Sequence, residues 1–275
     1  MMSKVLRAVA VVAALAFLFP MSGCVKLQED FVVYPDGSGK VTMTVGISQA
    51  FIDKMKDMPG GGEGFEEETG LSSEDMDNTE GIVAFSKPAR EKKDGWQTTT
   101  YTAYFEDINK VKFWKKEGEK KKLQLAFEFK KDGEGHSLEV DDRFTADENS
   151  DKMDEMPDEA KAQIWDQVKP MLKGFEIYKA VKMPGTVTSA EGFGTKAGRL
   201  ASNKVTEEAI KSLEDLGKYM KASKRKVVCG KSEVSDADLA AFKKELAEAK
   251  AAWPKIREEF KAEEEKKKKE KEKSE

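Results

Sequence analysis

The chain has little of what most enzyme chemistry uses: one histidine, His136, and two cysteines, Cys24 and Cys229, in 275 residues. A lone histidine excludes a histidine-rich metal centre. Neither an H-E-x-x-H nor a C-x-x-C spacing is present to hold zinc. A serine or cysteine hydrolase needs a nucleophile with a base in reach, yet no G-x-S-x-G occurs, and His136 follows Gly133-Glu134-Gly135. That setting is a hairpin turn, where an exposed side chain is expected. Positive charge is not in excess either: 48 Lys and Arg against 52 Asp and Glu leave a formal charge of −4. Nucleic-acid binding, which needs a concentrated basic face, is therefore not expected. After Pro20 no apolar run is long enough to span a bilayer, which takes about 20 residues in helix. No catalytic residue, metal ligand or cofactor site is assigned.

What is there begins at the N-terminus. Lys4 and Arg7 precede an apolar run from Ala8 to Phe19, broken by Pro20 and followed by Met21-Ser22-Gly23-Cys24. The run is short for a membrane span, and its flanks fit a secretory signal peptide over residues 1–23. Cysteine directly after Ser-Gly resembles the lipobox of bacterial lipoproteins, with Met21 where Leu is more usual. That resemblance implies cleavage before Cys24 and a diacylglycerol on its sulfur. Two or more acyl chains give stable attachment, so the mature chain is expected to be membrane-anchored by lipid and extracytoplasmic, on the periplasmic face or the cell surface. Cleavage removes two bases and no acids, so the formal charge becomes −6. Cys229 is then left without an intramolecular partner, and a small buried hydrophobe is its expected role.

The body reads as α+β, mainly antiparallel β-sheet with packing helices and a long C-terminal helix. Alternation over Lys26–Ile47 around Pro35-Asp36-Gly37-Ser38-Gly39 predicts a β-hairpin. The Gly39-Lys40 pair is not a phosphate loop, because Tyr34 replaces the first glycine and Val41 the Ser/Thr. Ser48 is placed to cap a short helix. Residues 59–81 carry eight acids and no base, which predicts an acidic flexible loop. Strands are expected at Ile82–Phe85, Thr98–Phe105, Leu123–Phe129 and through Leu138 and Val140. Asp147, Asn149 and Asp151 match the first ligands of a calcium loop, but Lys152 stands where glycine is needed and Asp158 where glutamate is, so no calcium site is assigned. Pro157–Lys173 reads as a helix, Phe175-Ile177-Lys179-Val181 as one face of a strand, about Thr206 to Ala222 as a helix, and Lys226–Cys229 as a strand.

Residues 24–230 are thus expected to form one domain, followed by an amphipathic helix over 235–260 and a charged tail over 261–275. In that helix Leu239, Phe242, Leu246, Ala249, Trp253, Ile256 and Phe260 follow a 3,4 spacing. Such a seam either packs on the chain's own sheet or pairs with another chain as a coiled coil. The run only just reaches three heptads, and Pro254 interrupts it, so packing on the domain is favoured.

The order of the pieces resembles a group of bacterial lipoproteins with an LppM-like domain. The features in common are the lipobox, the first strand, the D-G-S-G turn at Asp36–Gly39, the Y-x-x-x-F-E-D-I segment from Tyr101 to Ile108 and the P-G-x-V turn at Pro184–Val187. The resemblance implies an α+β body able to hold a hydrophobic or lipid ligand, and it supplies no catalytic residues. Two functions follow. One is a non-enzymatic module binding a lipid or other hydrophobic ligand at the membrane surface. The alternative is an assembly lipoprotein that meets a protein partner, or a second copy of itself, through Leu239, Phe242, Leu246, Trp253, Ile256 and Phe260.

Overall fold

A computed structural model of the chain describes residues 25–56, 76, 79–117, 120–143, 156–219 and 223–274. Met21, Ser22, Gly23 and Cys24, most of the acidic stretch, and Asp147, Asn149 and Asp151 lie outside the described residues.

Strand β1 (Val25–Val33) and strand β2 (Gly39–Ser48) form the expected hairpin, in register from Val25 opposite Ile47 to Val33 opposite Gly39. Asp36 closes its turn by accepting from the Ser38 N–H at 3.1 Å and from the Ser38 hydroxyl at 2.5 Å. Gly39 is required by space, since a Cβ there would stand 2.0 Å from the Val32 carbonyl oxygen. Ser48 caps helix α1 (Gln49–Lys56), its Oγ accepting from the Phe51 N–H at 3.2 Å. Then come β3 (Thr79–Glu80), β4 (Ile82–Phe85), β5 (Ala89–Lys93) and β6 (Trp96–Phe105). A 3-10 turn over Ile108–Lys110, capped by Asp107, leads into β7 (Lys112–Glu117), β8 (Lys120–Asp132) and β9 (Gly135–Asp142). Helix α2 (Asp158–Val168) tightens into a 3-10 turn at Lys169–Leu172, where Pro170 lacks the N–H that would continue the α-helix. The rest is β10 (Glu176–Lys182), β11 (Val187–Glu191), β12 (Thr195–Ala197), β13 (Leu200–Thr206), α3 (Leu213–Tyr219), β14 (Ser223–Cys229) and α4 (Asp236–Ser274).

Among the described residues these strands form two sheets. The larger runs β12-β13-β10-β1-β2-β6-β4, with β5 also on β6; the smaller runs β11-β14-β9-β8-β7-β3. Every pairing is antiparallel except β1 with β10, which run parallel. The fold is therefore α+β and mainly antiparallel. Period-2 alternation sends Phe31, Val33, Val41, Tyr101, Ala103, Phe105 and Val181 from the large sheet into one core with Leu125, Phe127, Leu138, Val140, Val227 and Cys229 from the small one. The Phe31 and Phe127 rings meet across the gap with centroids 5.2 Å apart. A second cluster, Ile164, Val168, Leu172, Phe175, Val205, Ile210, Leu213 and Leu216, packs α2 and α3 onto the β10–β13 end of the large sheet.

Two expectations need correction. The helix predicted from about Thr206 to Ala222 shrinks to Leu213–Tyr219, capped by Ser212, whose Oγ accepts from the Asp215 N–H at 3.2 Å. Of the residues before it, Thr206 ends β13 on the edge of β10 and Glu207–Ala209 form a 3-10 turn. His136 is not an exposed turn residue. It is the second residue of β9, opposite Cys229, half-buried, with its ring stacked on Phe129 at 5.1 Å. The tail beyond Phe260 continues α4 as helix through Ser274. The strands β3, β5, β7 and β12 carry too few apolar residues to be read from alternation; their partners' exposed backbone groups recruit them.

Helix α4 belongs to the body. Phe242 is 2% exposed and Leu246 4%, both against Ala84 and Tyr104, with Tyr34, Val83, Ala249 and Trp253 around them. The helix thereby covers β4, which pairs with β6 on one side and would otherwise be an open edge. Replacing Phe242 by Ala empties a fully buried ring site, so urea denaturation should show a loss of about 3–5 kcal/mol. A loss under about 1 kcal/mol would mean that α4 is not part of the cooperative fold.

Candidate functional site

Between the two sheets four charged residues face one another. At the middle of β1 and β10, Glu29 and Lys179 are register partners and both point inward. From the facing sheet Asp142, the last residue of β9, and Arg225 of β14 point back at them. Lys179 Nζ donates to Asp142 Oδ2 at 2.8 Å and stands 3.5 Å from Glu29. Arg225 donates to the same Asp142 oxygen. The four charges cancel. The side chains of Asp142 and Arg225 are 6% and 10% exposed, so their pairing takes place largely out of water.

Around this chain of charges lies a cleft walled by Phe31, Leu125, Phe127, Val140, Val181 and Phe193. Its volume is about 20 Å³, room for a single water. The Arg225 Nε is buried and has no hydrogen-bond partner among the described residues, and it is the polar group such a water would serve. The guanidinium lies 5.6 Å from the Phe193 ring centre. Gly192 makes that approach possible: its φ is +76°, and a Cβ there would meet Arg225 Cγ at 2.6 Å.

Chemically the arrangement is an ionic lock between sheets. Removing one partner of a buried pair costs more than forming the pair returns, because the other charge stays buried and uncompensated. It is also a charged break in the packing between the sheets, so anything entering here must separate Asp142 from Lys179 and Arg225. The sequence held a signal for it. Lys179 occupies an apolar-face position between Ile177 and Val181, Glu29 one before Phe31, Asp142 one after Val140, and Arg225 one before Val227. Four charges at inward strand positions ask for partners, but only the fold shows that they partner one another.

The sites expected from sequence are distributed elsewhere. Lipidation at Cys24 and cleavage after Met21, Ser22 and Gly23 fall outside the described residues, but β1 begins at Val25, the next residue. Cys229 is a buried free thiol, 2% exposed, within the inter-sheet core. Asp158 of the calcium half-match stands in the first turn of α2. No group of three or more His, Cys, Asp or Glu able to hold a metal occurs among the described residues. Of the helical stripe, Phe242 and Leu246 are buried in the body, Trp253 stacks obliquely on Phe85 at 5.2 Å, and Phe260 packs on the inter-sheet core. Leu239 and Ile256 are half-buried.

Polar contacts reinforce that seat. Lys40 Nζ lies 2.7 Å from Glu245, Lys243 reaches Asp36 at 2.5 Å, and Lys250 reaches Glu106 at 2.6 Å. The Tyr104 hydroxyl donates to Glu245 at 3.0 Å. Burial, with help from Glu245, pushes its pKa up to about 12, so it remains a neutral donor.

No family model and no curated protein sequence matches the chain. Among solved structures it is similar to the folded domain of the LppM protein of Mycobacterium tuberculosis, determined by NMR. The two share 10% identity, with a TM-score of 0.36, over 79% of this chain and 94% of that one. It is the same kind of domain that the sequence motifs resemble. At that level of similarity neither function nor site residues transfer.

Two outcomes are expected. Asp142→Ala leaves Lys179 and Arg225 buried without their shared anion, and chemical denaturation should show a loss of about 3–5 kcal/mol; a change below about 1 kcal/mol would show the lock to be idle. His136 has a separate pH signature. Burial holds its imidazole below the ordinary 6.5, Lys131 adds to this, and a hydrogen bond with the Pro35 backbone opposes it. Below pH 6.5 the unfolded chain therefore binds a proton that the folded one does not, and stability falls as pH drops through that range. His136→Gln should flatten the stability difference between about pH 7.5 and 5.5, and an unchanged slope would remove this assignment.

Proposed function

We propose that the chain is a membrane-anchored lipoprotein, held at the extracytoplasmic membrane surface by acyl chains on Cys24, with a non-enzymatic body. The observation that carries the reading is the adjacency of signal segment, Ser-Gly-Cys and sheet. The first strand starts at Val25, so no linker separates the acylated residue from the folded body. Among the described residues no helix is long and apolar enough to cross a membrane. That leaves acylation as the attachment the sequence itself supplies.

The finer reading is that the body takes a hydrophobic or lipid ligand at this surface. Pockets for such ligands measure roughly 300–1,000 Å³, against about 20 Å³ in the inter-sheet cleft. A lipid chain would therefore enter only by parting the sheets at the Asp142 lock, exchanging one apolar contact for another behind Phe31 and Phe127. The alternative, assembly through Leu239, Phe242, Leu246, Trp253, Ile256 and Phe260, requires α4 to leave its seat, because the chain's own body already covers the middle of that stripe.

Cys24→Ser tests the anchor. The wild-type N-terminal peptide should carry a diacylglycerol by mass and sediment with membranes; the variant should lose both. Persistence of the variant in the membrane fraction after a carbonate wash would refute acyl anchoring. Extraction of the purified variant, followed by mass spectrometry, should recover lipid if the ligand reading holds, and an empty extract would reduce the function to the anchored body alone.

A further inference from the structure

Cys24 is joined by one peptide bond to Val25, and consecutive Cα atoms are 3.8 Å apart. The acyl chains therefore leave the protein at one defined end of the large sheet. Register places at that end the last residues of β2 and the first of β6, β10 and β1: Val25 faces Ile47, Lys26 faces Gly46 and Glu176, and Ser48 faces Trp96. Lys26 Nζ sits 4.1 Å above the Trp96 ring. The tight turn between β5 and β6 brings Lys92 and Lys93 there, both exposed. Its Gly95 carbonyl accepts from the Gln49 N–H at 2.7 Å, which ties the turn to α1. Gly174 abuts Trp96, where a Cβ would come within 3.1 Å of the ring, and Lys173 beside it is exposed.

The acids at this end are fewer or already engaged. Glu176 pairs with Lys204 at 3.1 Å, and Glu207 accepts from the Gly174 N–H. Glu91 and Asp94 of the hairpin are exposed. Beside them stands a half-buried tryptophan with Lys26 over its ring and Lys93 as its register partner. Tryptophan prefers the headgroup level of a bilayer, and lysines reach from there to phosphates. The turn at Asp36, where α4 docks, lies at the other end of β1, nine residues or roughly 27 Å away.

We propose that the end of the large sheet around Lys26, Lys92, Lys93, Trp96 and Lys173 lies flat on the bilayer, with Trp96 at headgroup depth and the lysines on lipid phosphates. This rests on acylation of Cys24, and it adds an orientation: α4 and the Asp36 turn face away from the membrane. The protein is thus held by its acyl chains and by a second, non-covalent contact that prevents it from swinging about the anchor.

The test uses the full acylated chain, in vesicles of phosphatidylglycerol and phosphatidylcholine and in detergent, with lysine acetylation by a membrane-impermeant reagent read by mass spectrometry. In vesicles Lys92, Lys93 and Lys173 should lose most of their reactivity, while Lys244 on the outer side of α4 keeps its own. A K92E/K93E variant, still acylated, should regain reactivity at Lys173. Equal reactivity of Lys173 and Lys244 in vesicles, with diacylglycerol present on the Cys24 peptide, overturns the orientation and leaves the anchor standing. Absence of diacylglycerol on that peptide overturns both.

Discussion

The contact between the two sheets is the constraint on which everything else here depends. Phe31 and Phe127 define the gap, and the inward residues of β1, β2, β6 and β10 meet those of β8, β9 and β14 across it. A half-buried sheet cannot stand alone in water, because one face is apolar. The small sheet covers one stretch of the large one, and α2 and α3 cover the stretch it does not reach. Helix α4 closes the β4 edge. Each helix is where it is because the sandwich left apolar surface there.

The ionic lock follows from the same constraint. Glu29 and Lys179 lie at the boundary between the sheet-covered and helix-covered stretches, where side chains from Asp142 and Arg225 can meet them. Apolar residues would have sealed that boundary. Charges instead leave a polar break with space for a water, and they make the relative placement of the sheets depend on one carboxylate shared by two cations. Buried ion pairs contribute little net stability, but they penalise every arrangement that leaves a charge alone.

The polarity of the body relative to Cys24 comes from β1. That strand is central in the large sheet, with β2 on one side and β10 on the other, and its first residue adjoins Cys24. Strand direction thus places Trp96 and the β5–β6 turn at the Val25 end of the large sheet, and the Asp36 turn, where Lys243 of α4 docks, at the other end.

Sequence alone determined the local features: the Ser-Gly-Cys motif, the first hairpin with its Asp36 turn, the Ser48 cap, the β8–β9 hairpin and the apolar stripe of α4. Each rests on interactions within a few residues, on period-2 or period-3.6 alternation, or on a side chain capping its own neighbours. Tertiary structure decided the rest. The parallel β1–β10 pair joins residues about 150 positions apart and leaves no local trace. The edge strands β3, β5 and β12 form because a neighbour offers unpaired backbone groups, not because their side chains are apolar. The 3-10 turn at Glu207–Ala209 delays the start of α3 to Leu213, and β4 buries Phe242. The alliance of Glu29, Asp142, Lys179 and Arg225 was present in the sequence as four misplaced charges. Only the closing of one sheet on the other, which removes water from between them, turned those charges into a site.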